Sequence, residues 1–219
     1  MEDGEKMVWC CGNYRSGSTL IYRIIKSLLK EAGYNSIYST MKVHQDWMEK
    51  FNERDLSVYS YRDMRDVMAS FFYRDKVNFE TFRDHTGAGR NVVEFIKWMI
   101  DYDDFIKSYE RENPSKVIIF KYEEDIINKN FNLVESIRDF LLILDDRHSQ
   151  GIAEKLSFEN SKRISDSLTQ HDQSTQLHPN HLKDGKPNKY KEAFTEDQLK
   201  KINQDDKISD WLKRNGYEI

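Results

Sequence analysis

The sequence predicts an α/β fold built on a mainly parallel central sheet flanked by helices. Three observations carry that prediction. Short apolar runs alternate with longer stretches in which apolar residues recur about every 3.6 positions. One of the runs, Lys116 to Tyr122, is almost continuously apolar, as expected of a central parallel strand buried on both faces. The chain also opens with a strand, a turn rich in glycine and hydroxyl residues, and a helix, a layout that presents backbone N–H groups to an anion.

The opening strand is Met7-Val8-Trp9-Cys10-Cys11. The helix after the turn keeps Leu20, Ile21, Ile24, Ile25, Leu28 and Leu29 on one stripe, with Arg23, Lys26 and Lys30 off it. Gly33 is the expected stop, since glycine enters the left-handed C′ conformation without strain. Ser36 to His44 reads as a second strand and Leu56 to Tyr61 as a third. A helix then starts at Asp63, a natural N-cap, with Met64, Val67, Met68, Phe71 and Phe72 in register. Asp75 to Arg90 shows no sustained period and reads as a loop or lid. Asn91 to Arg111 is a long helix with Val92, Ile96, Met99, Ile106 and Tyr109 inward, ended at Asn113-Pro114-Ser115. Phe131 to Leu144 is helical with Val134, Ile137, Phe140, Leu141 and Leu144 inward, and Arg147 to Leu156 is a further helix. From Ser165 to Lys191 polar residues dominate and a loop is expected. Thr195 and Gln198 form a capping-box pattern before a last helix or helix pair that reaches Trp211 and Leu212.

The totals set bounds. At 219 residues the chain is long enough for one sizeable domain, and with no repeat or dividing linker residues 1–219 are expected to form it. Charged residues are 33% and the hydrophobic set 38%, but the apolar residues cluster, which excludes a disordered composition. A net charge of −4 argues against nucleic acid or another general polyanion as partner. No apolar run reaches spanning length and no signal peptide is evident. The two cysteines are adjacent on one strand and point to opposite faces, so a mutual disulfide is not expected; buried thiols in a reducing cytoplasm are.

The turn Tyr14-Arg15-Ser16-Gly17-Ser18-Thr19 is the most chemically loaded stretch. Arg15 offers a charged fork suited to phosphate or sulfate oxygens, Gly17 permits close backbone approach, and Ser16, Ser18 and Thr19 add hydroxyl donors. It is not a Walker A loop, because the Gly-Lys-Ser/Thr ending is missing. The plainer alternative is a strand-to-helix turn with a serine N-cap. His44 follows the second strand, where open α/β sheets place ligands. Arg62 sits at the end of the third strand, placed to hold a second phosphate; the plainer alternative is a solvated ion-pair cluster of Arg62, Asp63, Arg65 and Asp66.

Taken together, these segments resemble the sulfotransferase family, which uses 3′-phosphoadenosine 5′-phosphosulfate (PAPS) as donor. Tyr14 to Leu20 is similar to the family's 5′-phosphosulfate loop. Lys42-Val43-His44 is similar to its Lys-Thr-His strand end, and Arg62 to Ser70 to its 3′-phosphate motif. Phe120-Lys121-Tyr122-Glu123-Glu124 resembles the strand whose tyrosine lies near the adenine, and Leu156-Ser157-Phe158-Glu159 the segment whose phenylalanine packs on it. Lys183-Asp184-Gly185-Lys186-Pro187-Asn188-Lys189-Tyr190 resembles the C-terminal loop that clamps the 3′-phosphate, with Tyr190 where the family has tryptophan, Asn188 where it has a second glycine and Asp184 in place of a base; Leu20 replaces an aromatic common in cytosolic members.

The resemblance implies a three-layer, P-loop-like nucleotide-binding topology and an in-line sulfuryl transfer to a hydroxyl or amine. Its product would be adenosine 3′,5′-bisphosphate (PAP). It implies catalytic roles for His44 as base and for Arg15 and Lys42, and donor binding by Arg15, Ser16, Gly17, Ser18, Thr19, Leu20, Arg62, Ser70, Tyr122, Phe158, Lys183, Gly185 and Lys186. The acceptor would be a small molecule or glycan; the residues do not say which. No Cys/His cluster has metal-ligand spacing. Two rivals remain at this level: a P-loop-type nucleotide kinase, and a non-catalytic nucleotide-binding module of the same fold.

Overall fold

A computed structural model of the chain describes residues 6–43, 51–85, 89–127, 130–179 and 185–219. Four strands form one parallel sheet in the order β2-β1-β3-β4: β1 Lys6–Gly12, β2 Tyr38–Lys42, β3 Leu56–Tyr61 and β4 Val117–Lys121. The chain leaves β1 for β2 on one side and returns to β3 on the other. The carboxyl ends of β1 and β3, with Gly12 opposite Ser60, therefore flank a topological switch point, where open parallel sheets bind ligands. The helices are α1 Ser18–Glu31, α2 Met64–Asp75, α3 Phe82–His85, α4 Val92–Glu112, α5 Asn130–Phe140, α6 Ser149–Lys155, α7 Phe158–Ser167, α8 Tyr190–Ala193, α9 Glu196–Asn203 and α10 Asp206–Arg214.

The chain divides into two compact units, Met1–Tyr61 with Tyr109–Gly185, and Arg62–Ser108 with Lys186–Ile219. The first holds the sheet. Val8, Cys10, Val58 and Phe120 meet the apolar stripes of α1, α5 and α6 in one core. α1 ends in a Schellman motif: Gly33 has φ 73°, its N–H reaches the Lys30 carbonyl, and Tyr34 N–H reaches that of Leu29. The second unit is built on aromatic packing among Phe71, Phe72, Phe82, Phe95 and Phe194. In it, buried Trp211 donates its indole N–H to Asp103 at 2.7 Å. Asp63 caps α2 through Arg65 N–H, and Thr195 with Gln198 completes the expected capping box on α9.

Several local expectations are corrected. Lys116–Tyr122 contributes an edge strand of the described sheet, not a central one, because β4 pairs only with β3. Leu144 is 95% exposed: α5 ends at Phe140 and the chain turns through Leu142 with φ 57°. Arg23, expected on the solvent side of α1, is buried and donates to Ser161 Oγ at 2.8 Å. That serine lies on α7, a helix within a stretch for which only loop or no element is expected. Part of the expected lid at Asp75 to Arg90 folds as the single turn α3, and Thr86 to Ala88 lie outside the described residues.

Candidate active site

The phosphate-type loop follows β1 directly. Asn13 N–H donates to the Ser60 carbonyl at 3.1 Å and Ser16 N–H to the Asn13 carbonyl at 3.3 Å. The Ser16 hydroxyl donates to the Asn13 carbonyl at 2.6 Å, with the Ser60 carbonyl at 2.9 Å and the Ser60 hydroxyl at 3.0 Å. Ser16 is thus fully buried and anchors the loop to the end of β3. Gly12 makes this possible: a Cβ there would lie 2.6 Å from Ser60 Oγ and 2.7 Å from Ser16 Oγ. Gly12 and Ser60 are the supporting residues that sequence reasoning missed. Their partners are distant in sequence, and a serine at a strand end gives no local signal.

The loop then turns through two left-handed residues, Arg15 at φ 62° and Gly17 at φ 93°. Left-handed backbone at a non-glycine residue is uncommon and clusters at ligand-binding turns. Gly17, not a serine, is the N-cap of α1, and no side chain caps the helix. The first turn also holds no acidic residue. The positive end of the α1 dipole is therefore uncompensated by local carboxylates, which suits an anion. Gly17 lies beneath Tyr122 and Ile126; a Cβ on it would come within 3.0 Å of Ile126 Cδ1 and 3.3 Å of Tyr122 Cδ2.

At the end of β2, Lys42 donates from Nζ to Thr19 Oγ1 at 2.7 Å. Burial and then the nearby Arg15 charge push the Lys42 ammonium down to about 8. Two cations converge on the start of one helix, and one is destabilised by the other. An anion arriving there would relieve both effects. Tyr122, at the end of β4, donates its hydroxyl to the Gly185 carbonyl at 3.3 Å. A Cβ on Gly185, φ 65°, would meet the Phe158 ring at 3.0 Å. Arg15, Ser16, Gly17, Ser18, Thr19, Leu20, Lys42, Tyr122, Phe158 and Gly185 all belong to the first unit.

In the second unit, Arg62 follows β3 immediately and is buried. Its Nη2 donates to Asp66 Oδ2 at 3.0 Å and to the Lys186 carbonyl at 2.9 Å. Arg65 pairs with Asp63 at 2.7 Å and lies over the Tyr190 ring, 4.1 Å from its centroid. The four-residue charge cluster is real but buried, not solvated. Ser70 lies on α2 and is half-buried; Lys186 is exposed. His44, the expected base, and Lys183, the expected clamp, lie outside the described residues. Among the described residues no group of three or more His, Cys, Asp or Glu could hold a metal ion.

The sulfotransferase domain family model matches residues 48–216, more than half of the chain. Among solved structures, retinol dehydratase in complex with retinol and PAP aligns at TM-score 0.66 and 16% identity, covering 94% of this chain and 81% of that one. Retinol dehydratase with androsterone and inactive cofactor PAP aligns at TM-score 0.65 and 17% identity, covering 94% and 80%. Mouse sulfotransferase SULT7A1 complexed with PAP aligns at 0.61 and 14%, covering 99% and 89%. At these identities the likeness shows the fold. No protein of curated function matches the sequence.

Proposed function

We propose that this chain, which belongs to the sulfotransferase family, moves a sulfuryl group from PAPS to a hydroxyl or amine of a small-molecule or glycan acceptor. The observation that carries the reading is the convergence of Arg15 and Lys42 on the uncapped start of α1. A phosphosulfate is the kind of dianionic group that such a pocket binds well.

In this reading Ser16 holds the loop, and Gly17 lets the backbone approach the 5′ end of the donor. Ser18, Thr19 and Leu20 line the first turn of α1. Tyr122 and Phe158 flank the adenine. Arg62, Ser70, Gly185, Lys186 and Lys183 serve the 3′-phosphate. His44 takes the acceptor proton as the acceptor oxygen or nitrogen forms its bond to sulfur. The bond from sulfur to the bridging oxygen breaks, and PAP leaves with its new charge next to Arg15 and Lys42. The protein's contribution is positioning and electrostatic stabilisation of charge in flight, as in phosphoryl transfer.

The kinase alternative is disfavoured by the family match and by the missing Walker lysine. A cytoplasmic location belongs to the same proposal, supported by two buried free cysteines; among the described residues no helix is long and apolar enough to cross a membrane.

The test is transfer of labelled sulfur from PAPS to a panel of phenols, alcohols, amines and sugars. His44→Ala should lower turnover by roughly 10²- to 10⁴-fold with donor affinity little changed. Full turnover in that variant would remove the base from the mechanism, and no transfer to any acceptor by wild type would favour a binding module.

A further inference from the structure

One buried carboxylate in the second unit is used more heavily than any role in the transfer reaction requires. The Asp66 side chain is fully buried on α2. Its Oδ2 accepts from Arg62 Nη2 at 3.0 Å and from Asn188 N–H at 2.8 Å; its Oδ1 accepts from Tyr190 N–H at 3.0 Å. Arg62 in turn donates to the Lys186 carbonyl at 2.9 Å. Five groups from two chain segments more than 120 residues apart are thus closed into one network.

The local backbone is shaped for this. Asn188 has φ 64°, a left-handed conformation that asparagine tolerates better than most residues. That turn brings the amides of Asn188 and Tyr190 onto one carboxylate. Tyr190 is buried beneath the Arg65 guanidinium, and Arg65 is itself held by Asp63. A buried charge is tolerated where it is paired and hydrogen-bonded, and a network in which both carboxylate oxygens of Asp66 are engaged holds one geometry.

We propose that Asp66 is a positioning residue that sets the preference for a 3′-phosphorylated nucleotide. It fixes the direction of the Arg62 guanidinium and docks the Lys186–Tyr190 segment on it before any ligand arrives. The arginine and the loop are then already in place when the anion arrives, not two parts that must be ordered on binding. This rests on Arg62 serving the 3′-phosphate in the reading above.

The experiment compares PAP with 5′-AMP, which lacks the 3′-phosphate, by calorimetry on wild type and Asp66→Asn. Wild type should prefer PAP. Asp66→Asn should lose about 10-fold or more in PAP affinity, the size of one charge-assisted contact, while 5′-AMP affinity changes little. A merely structural role would weaken both nucleotides together, and that result overturns the proposal. Amide hydrogen exchange at Asn188 and Tyr190 supplies a second readout: both should lose protection in Asp66→Asn, and retained protection also overturns it. If Asp66→Asn fails to fold, Arg62→Met with Asp66→Asn removes both buried charges together. Exchange is then compared with Arg62→Met alone, with loss of protection at the two amides expected in the double variant. A wild type with no preference for PAP would instead refute the underlying assignment of Arg62, a separate outcome.

Discussion

Lys42 Nζ lies 2.7 Å from Thr19 Oγ1, joining the last residue of β2 to the second residue of α1. The lysine is held over the start of the helix by a neutral hydroxyl, beside an arginine that opposes its charge. A carboxylate partner would have raised its proton affinity; here burial and Arg15 lower it to about 8.

The pH dependence follows with a definite sign. Below about 8 Lys42 is charged, and above it the neutral amine dominates. An anionic ligand favours the ammonium and raises its proton affinity again. PAP binding near pH 8 to 9 should therefore take up protons, and affinity should fall as pH rises through that range. Titration in two buffers of different ionisation enthalpy measures the uptake, and Lys42→Met should abolish it. Uptake unchanged in that variant would assign the proton to another group.

Gly17→Ala tests the loop. The φ of 93° costs an L-residue about 1–2 kcal/mol, and the added methyl would crowd Ile126 and Tyr122. The variant should lose at least that much stability in urea and bind PAP more weakly. A stability loss below about 0.5 kcal/mol would show that the turn relaxes without strain.

The thiols make a separate prediction about the core. Burial pushes both Cys10 and Cys11 well above the usual cysteine range. Neither should react with a thiol-disulfide reagent in the native protein, and both should react after denaturation. Rapid native labelling of either would mean that β1 opens to solvent.

Much of this architecture was legible in the sequence because the signals are local. The turn at Tyr14 to Thr19, the Asp63 cap, the Thr195–Gln198 box and the Gly33 stop each rest on residues within a few positions of one another. What escaped depends on distant partners. The burial of Arg23 requires Ser161, 138 positions away. The role of Ser60 requires Ser16, 44 positions earlier. The edge position of β4 depends on strand order, which an apolar run does not encode. Arg62 was visible as a cation and as a member of an ion-pair cluster with Asp66, but not as buried or as the partner of a loop 124 positions on. The plainer alternative of a serine N-cap falls because Gly17, with left-handed backbone, takes that position and no side chain caps the helix.

The central claim is recognition of an adenosine that carries charge at both its 5′ and 3′ positions. Its most direct test is a calorimetric comparison of PAP with 5′-AMP and with ATP plus magnesium on the unmodified protein. PAP should bind at least 10-fold more tightly than either, since one charge-assisted phosphate contact is worth about that factor. Equal affinity for PAP and 5′-AMP, or tighter binding of magnesium ATP, would contradict it.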